Sequence, residues 1–169
     1  RWLIDQMAKF DPRPAPIAAL PPRSELIAAI KDLRSEKRER KAAKEDGADS
    51  TEQQSNSYRK AVRDQYVAAV DARLAVALGS RQDFAERLVH FWANHFAISI
   101  DKIVTVGLAG NFEFDAIRPH IFGRFADLLK AASWHPAMLL YLDQAQSIGP
   151  NSMLAQRIGA RRNREIGLN

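Results

Sequence analysis

The chain has 169 residues, with 25 Lys and Arg against 20 Asp and Glu, so its formal net charge is +5. It contains no cysteine, which excludes thiol nucleophiles, disulfides and thiolate-ligated zinc or iron–sulfur sites. The positive excess lies in the flanks, because residues 65–156 hold 7 basic and 8 acidic residues. A nucleic-acid-binding domain is expected to combine basic and aromatic residues on its folded part, so we predict no nucleic acid as a partner.

A proline-rich segment opens the chain, and we predict that residues 1–23 form a strap on the protein surface. Residues 11–22 contain five prolines, a spacing that disfavours both helix and sheet. Residues 24–78 are predicted to form a helical hairpin, because apolar residues recur at helical spacing on either side of a polar tip. That tip, Gly47 to Ser57, is turn-rich and is predicted to be a mobile loop.

Residues 31–45 carry the densest charge of the predicted hairpin. They contain seven basic and four acidic residues in mixed order, which is typical of a solvated helix. Docking of this segment on an anionic surface is the less favoured alternative.

Residues 79–169 are predicted to form a compact bundle of three or four helices, followed by an irregular tail from Ser147. A sequence resembling a capping box at Ser80 predicts a helix from Asp83 to about Phe96. No segment alternates with period two for long enough to predict a strand, so the predicted fold class is all-α. The predicted core residues are Trp92, Phe96, Phe125, Leu129 and Leu140.

The later helices of the bundle are marked by prolines. Gly107 and Gly110 are assigned to a connection, and Pro119 is expected in the first turn of the next helix, where its missing N–H costs nothing. After Pro136 the sequence is almost uniformly apolar as far as Leu142, which predicts a helix in the centre of the domain.

Two histidines on the helix that begins at Asp83 are predicted to face opposite ways. At 100° per residue, His95 falls within the aromatic arc, and His90 falls on the polar arc with Glu86 and Asn94. We therefore predict that His95 points inward and His90 points to water. A buried imidazole is either a core residue paired with its neighbours or a ligand, and the sequence favours the first reading.

His120 and Asp143 are further candidates for a site. His120 lies near a predicted helix start, whose positive end keeps an imidazole neutral and able to accept a proton or a metal ion. Asp143 ends the apolar helix and is expected to pair with Arg118, Arg124 or a cation. Glu113 and Asp115 are two residues apart and do not face one target, so we predict that both are solvated.

No complete catalytic motif is present in the sequence. It lacks a Gly-x-Ser-x-Gly elbow, a phosphate loop, a dinucleotide fingerprint and a His-Glu-x-x-His helix. His90 and His95 are five residues apart and cannot chelate one ion from the same helix. Whether the protein is an enzyme therefore stays open.

Four motifs in order resemble those of one family. They are Phe91-Trp92-Ala93-Asn94-His95-Phe96, Ile117-Arg118-Pro119-His120, Gly123-x-Phe125, and His135-Pro136-Ala137-Met138-Leu139-Leu140-Tyr141-Leu142-Asp143-x-x-Gln146-Ser147. From about Phe84 onward the chain resembles the bacterial domain-of-unknown-function family 1800, a large helical family without an established activity. The hairpin region before it resembles the family more loosely.

The resemblance implies an exported or periplasmic protein that works with a partner. It also implies that Gly167-Leu168-Asn169 opens the family's next motif, Leu-Asn-Glu-Asn, so that this chain is an excerpt of the domain. A family site would then lie where His95, Arg118, His120 and Asp143 meet residues beyond Asn169.

Two functions of different classes follow. The first is a non-enzymatic, exported accessory or binding module that acts with a partner protein. The alternative is a metal-dependent hydrolase in which His95 and His120 hold a divalent transition metal, completed by residues beyond Asn169. Asn94, Arg118 and Asp143 are the candidate ligand-binding residues, with Arg118 binding an anionic group.

Overall fold

The computed structural model describes residues 1–25, 27, 28, 32, 35, 48–144 and 147–162. Every regular element among these residues is helical, which confirms the predicted all-α class. The helices are α1 (Trp2–Lys9), α2 (Ala15–Ala18), α3 (Ala48–Gly79), α4 (Asp83–His95), α5 (Ile103–Asn111), α6 (Phe125–Trp134), α7 (Pro136–Tyr141) and α8 (Met153–Arg162). A π-helix (Phe112–Ile117) and a 3₁₀ turn (Arg118–His120) follow α5 directly. In the described part of the chain, no helix is both long and apolar enough to cross a membrane.

The N-terminal segment is not the extended strap predicted for residues 1–23. It contains α1 and α2, and Pro16 lies in the first turn of α2, where proline is tolerated. Ile17 on α2 is fully buried against Ala69, Ala72 and Val76 of α3. Proline spacing excludes a long helix here, but it does not exclude one turn that anchors a single apolar side chain.

Helix α3 is 32 residues long and includes most of the predicted mobile tip. The loop prediction for Gly47 to Ser57 is therefore wrong from Ala48 onward. Polar residues such as Glu and Gln are good helix formers, and no proline or internal glycine interrupts the sequence before Gly79. The predicted stop at Gly79 is correct. Most of residues 31–45, the predicted solvated charged segment, lies outside the described residues.

The main core lies between α3, α4, α5, the π-helix, α6 and α7. Its buried members are Val62, Ala85, Val89, Leu108, Phe112, Ala116, Ile117, Ile121, Leu128, Ala132 and Ala137. Of the predicted core residues, Trp92, Phe96 and Leu140 are partly buried and pack against this cluster. Phe125 and Leu129 are exposed, so that part of the prediction is wrong.

The reason lies in where α6 begins. The sequence places Pro119 at the start of a continuous helix, whereas the structure ends a 3₁₀ turn at His120 and starts α6 afresh at Phe125. A helical phase carried across that break is not preserved. Helix α6 consequently buries Leu128 and Ala132 and turns Phe125 to the surface.

Two further predictions about irregular segments are wrong. Gly107 and Gly110 belong to α5 rather than to a connection. The tail after Ser147, predicted as irregular, contains α8. Gly110 is needed for packing, because a Cβ added to it would overlap the Cβ of Ala69 on α3. The missing side chain lets α5 approach α3 closely.

We predict that Gly110→Ala destabilises the protein by about 1–3 kcal/mol, because the added methyl group overpacks the contact with Ala69. The measurement is the free energy of unfolding in urea. Gly79→Ala is the matched control, since a Cβ there meets no atom within 4 Å. An equal loss of stability in both variants would contradict the prediction, because it would show that α3 and α5 can move apart at little cost.

Candidate functional site

The most deeply buried charge in the described residues is Arg118, with 1% of its surface exposed. Its Nη1 and Nη2 donate to the two carboxylate oxygens of Glu86 on α4 at 2.8 and 2.7 Å. Its Nε donates to the carbonyl oxygen of Pro12 at 3.0 Å, and its guanidinium lies 5.3 Å from the ring centre of Phe10. The protein itself thus surrounds this guanidinium, and an anionic ligand would have to displace Glu86.

Glu86 occupies a position that the sequence analysis assigned to the polar, outward face of α4. It is 6% exposed, and His90 on the same face is half-buried, so the predicted solvent exposure is wrong for these two residues. Asn94 on that face is exposed as predicted. A prediction from hydrophobicity alone places a glutamate in solvent. The partner that makes its burial possible lies 32 residues away in sequence, so no local pattern reveals it.

A second group of charges lies beside the first. Nε of Arg73 on α3 lies 2.7 Å from Oε2 of Glu113 on the π-helix, an ion pair that is not an aligned hydrogen bond. Nη2 of Arg73 lies 2.7 Å from Nδ1 of His90. A guanidinium can only donate, so Nδ1 accepts and the imidazole is neutral. Burial and the nearby Arg73 lower the pKa of His90, whereas burial raises the pKa of Glu113.

Glu113 and Asp115 were both predicted to be solvated. Glu113 is buried instead, and Asp115 is only partly exposed. Glu113 is 5% exposed. Asp115 is half-buried and lies 3.1 Å from Arg13 and 3.8 Å from Arg23. The two carboxylates do point to different targets, as expected, but the targets are arginines of α3 and of the N-terminal segment.

Aromatic side chains of α4 and α6 form an exposed surface, which we call the aromatic face. It consists of Phe91, Trp92, His95, Phe125 and Leu129. Phe91 is 58% exposed and Phe125 is 54% exposed. The rings contact one another: Trp92 lies 5.7 Å from Phe125, and His95 stacks on Phe91 at 6.3 Å.

His95 lies on the aromatic arc as predicted, but it is exposed beside Phe91, so the predicted inward orientation of His95 is wrong. Trp92 and Phe96 of the same arc are partly buried and pack against the main core. The ring of His95 also meets the edge of Trp92 at 5.5 Å and of Phe96 at 4.9 Å. Asn94 is exposed beside it, and His120 is half-buried in the 3₁₀ turn. Among the described residues, no three His, Asp or Glu side chains are placed to hold a metal ion together.

Asp143 pairs with Lys102 at 2.7 Å, not with Arg118 or Arg124 as predicted. Asp143 has φ 57, a left-handed conformation that ends α7 after six residues. Lys102 also donates to the carbonyl oxygens of Leu140 and Tyr141 at 3.3 and 3.2 Å. The pair therefore stabilises the C-terminus of α7, where a positive charge is favourable.

His135 caps the other end of α7. Its Nδ1 accepts a hydrogen bond from the backbone N–H of Ala137 at 3.2 Å, and the side chain is 3% exposed. Burial, with a contribution from Arg23, lowers the pKa of His135 to about 4. The sequence offers a signal that we did not use, because a polar residue directly before a proline occupies the N-cap position.

The geometry thus defines an all-α protein whose buried charges pair with one another and whose aromatic residues lie partly at the surface. The chain belongs to the family described as protein of unknown function (DUF1800), whose model matches residues 1–165. The match also covers the N-terminal region that resembles the family loosely by motif. No curated protein and no solved structure matches the chain.

We predict that Glu86→Gln destabilises the protein by about 3–5 kcal/mol, because it leaves the Arg118 charge buried without a carboxylate. Asp143→Asn is the control at an exposed ion pair and is expected to cost at most about 1 kcal/mol. Both values come from urea unfolding. The double variant Glu86→Gln with Arg118→Met is expected to recover part of the loss. A double variant less stable than Glu86→Gln would contradict this assignment.

We also predict that stability falls as the pH is lowered from about 6.5 to about 4, through the neutral, buried His135. The unfolded chain takes up a proton near the ordinary histidine pKa, but the folded chain does so only near pH 4. This difference is worth about 3 kcal/mol at its limit. The measurement is the free energy of unfolding against pH, compared with His135→Asn, which keeps a cap but does not titrate. The prediction fails if the two curves run parallel.

Proposed function

We propose that this protein is a non-enzymatic binding module that acts with a partner protein, and that the partner docks on the aromatic face. The observation that carries the proposal is the exposure of Phe91 and Phe125 beside the ring of Trp92. Contiguous exposed apolar surface, unlike a single exposed apolar residue, marks interaction sites. Aromatic residues also dominate the binding energy of protein interfaces.

The rings of the aromatic face are held by one another. Trp92 contacts Phe91, His95, Phe96 and Phe125 at centroid distances between 5.1 and 5.9 Å. A partner that meets rings already packed together loses little side-chain entropy on binding. Mutual contact therefore favours this surface as a docking site over scattered exposed residues such as Leu78.

The charges next to the face indicate the chemistry of the partner. Arg87 is one helical turn before Phe91, Arg124 directly precedes Phe125, and Lys130 directly follows Leu129; all three are exposed. Asp127 is the acidic residue within the α6 part of this stretch. We propose a partner surface with an apolar centre and an acidic rim, since such charges increase association rates and select partners. Exposed Asn94 offers an additional hydrogen-bonding group.

Export to the periplasm or cell surface is part of the proposal, and it is supported by the family's motifs alone. Fractionation of the native cells tests it, and a purely cytoplasmic location of the protein would contradict it.

The test of the docking site uses Phe91→Ser with Phe125→Ser. The control is Leu74→Ser with Leu78→Ser, which removes apolar side chains that are 54% and 87% exposed on α3. We expect proteins captured by the wild type and the control to be lost from the aromatic-face variant. With a purified partner, calorimetry should show binding weakened at least about 30-fold, and wild-type affinity should fall as salt rises. Equal binding by both variants would contradict the proposal.

The alternative is a metal-dependent hydrolase. It requires the exposed ring of His95 and the half-buried ring of His120 to bind one metal ion. Further ligands would have to come from outside the described residues. A stoichiometric transition metal in protein purified without a polyhistidine tag, lost in the folded His95→Ala, His120→Ala variant, would favour the hydrolase over the binding module.

A further inference from the structure

A cavity of about 210 Å³ lies on the side of α3 that faces α5. Tyr66, Ala69, Val70 and Arg73 of α3 form one wall. The segment after α4, with Ala97 and Ile98, forms another wall, and Gly110 and Glu113 close the cavity. The aromatic face contributes none of its five residues to the lining, so this site is separate from the proposed docking surface.

Two buried polar atoms at this cavity lack a hydrogen-bond partner among the described residues. They are Oε1 of Glu113 and Nε of Arg73. Buried polar atoms are almost always hydrogen-bonded, and an unpaired carboxylate oxygen is especially costly. Glu113 is only 5% exposed, whereas the side chain of Arg73 is 42% exposed. The cavity therefore presents an unused acceptor in its depth and a cation nearer its mouth.

Glu113 is carried by a π-helix, which is rare as a full segment and is found often at functional sites. In this segment Phe112, Glu113 and Phe114 all line the cavity. Burial raises the pKa of Glu113 and Arg73 opposes that rise, so a second positive charge beside Oε1 would further stabilise the carboxylate.

We propose that this cavity binds a small zwitterionic ligand, namely a free amino acid with an apolar side chain. The ammonium group binds Oε1 of Glu113, the carboxylate binds the guanidinium of Arg73, and the side chain contacts the apolar walls around Val70 and Ile98.

The charges that line the cavity and the volume of the cavity both favour a zwitterionic amino acid as the ligand. Arg73 and Glu113 neutralise each other, so a ligand with a net charge would leave one charge uncompensated beside the buried carboxylate of Glu113. A zwitterion satisfies both groups and keeps the sum at zero. The volume lies below the range of about 300–1,000 Å³ that is usual for drug-sized ligands, which favours a single amino acid over a peptide.

The test is an NMR titration of the backbone amides with L-leucine as the probe. We expect saturable shifts at residues around the cavity, including Gly110 and Ala97. Isocaproate lacks the amine and isoamylamine lacks the carboxylate, and each should bind at least about tenfold more weakly than leucine. Equal affinity for all three compounds would overturn the two-point recognition, and the absence of saturable shifts with leucine would overturn the site.

Two variants separate binding from folding. Glu113→Gln keeps the shape of the side chain and should weaken leucine binding at least about tenfold. Ala97→Trp fills the exposed rim without touching the ion pair and should abolish binding in a folded protein. Ala61→Trp, at an exposed position of α3 away from the cavity, is the matched control and should bind as the wild type does. Leucine shifts retained in folded Ala97→Trp would overturn the proposal.

Discussion

The ion pair between Arg118 and Glu86 is the constraint on which the arrangement of the described helices depends. Removing a guanidinium and a carboxylate from water is costly, and only close, two-point geometry with further hydrogen bonds compensates for it. Here the same guanidinium also binds the carbonyl of Pro12 and lies over the ring of Phe10. A single side chain thus fixes the N-terminal segment, α4 and the 3₁₀ turn relative to one another. A hydrophobic contact of similar area would not specify their orientation, because it has no directional requirement.

The neighbouring charges form further pairs that connect other elements. Arg73 connects His90 of α4 to Glu113 of the π-helix, and Asp115 draws in Arg13 and Arg23. Three charged residues in or next to one π-helix therefore reach three different parts of the fold. Because α4 buries Glu86 and partly buries His90, Phe91 and His95 lie at the exposed edge of its aromatic arc.

Whether the sequence predicts a structural feature correctly depends on how far apart in the chain the interacting residues lie. Helix type and several boundaries, such as Gly79 and Asp83, depend on neighbours within a few residues, and they were predicted correctly. The burial of Glu86 on α4 depends on Arg118, 32 residues away, so hydrophobic periodicity predicted the wrong environment for Glu86. For the candidate site, the sequence singled out Arg118 and Asp143, but their ion-pair partners, Glu86 and Lys102, come from other parts of the chain. Arg73 and Glu113, which line the cavity, carry no local motif that distinguishes them from solvated charges.

Several charged residues are thus buried in this domain, and several aromatic residues are exposed. Charges that would ordinarily recognise ligands are mostly committed to one another, since Arg118 has each nitrogen engaged and Asp143 positions Lys102 at a helix end. Phe91 and Phe125, which would ordinarily help to build a core, are exposed, whereas Phe112 and Phe114 are buried. Glu113 and Arg73 are the exception, because their ion pair leaves Oε1 of Glu113 without a hydrogen-bond partner among the described residues, beside the cavity. We therefore propose binding at two places in the described residues: the exposed rings of the aromatic face and the cavity beside Glu113 and Arg73.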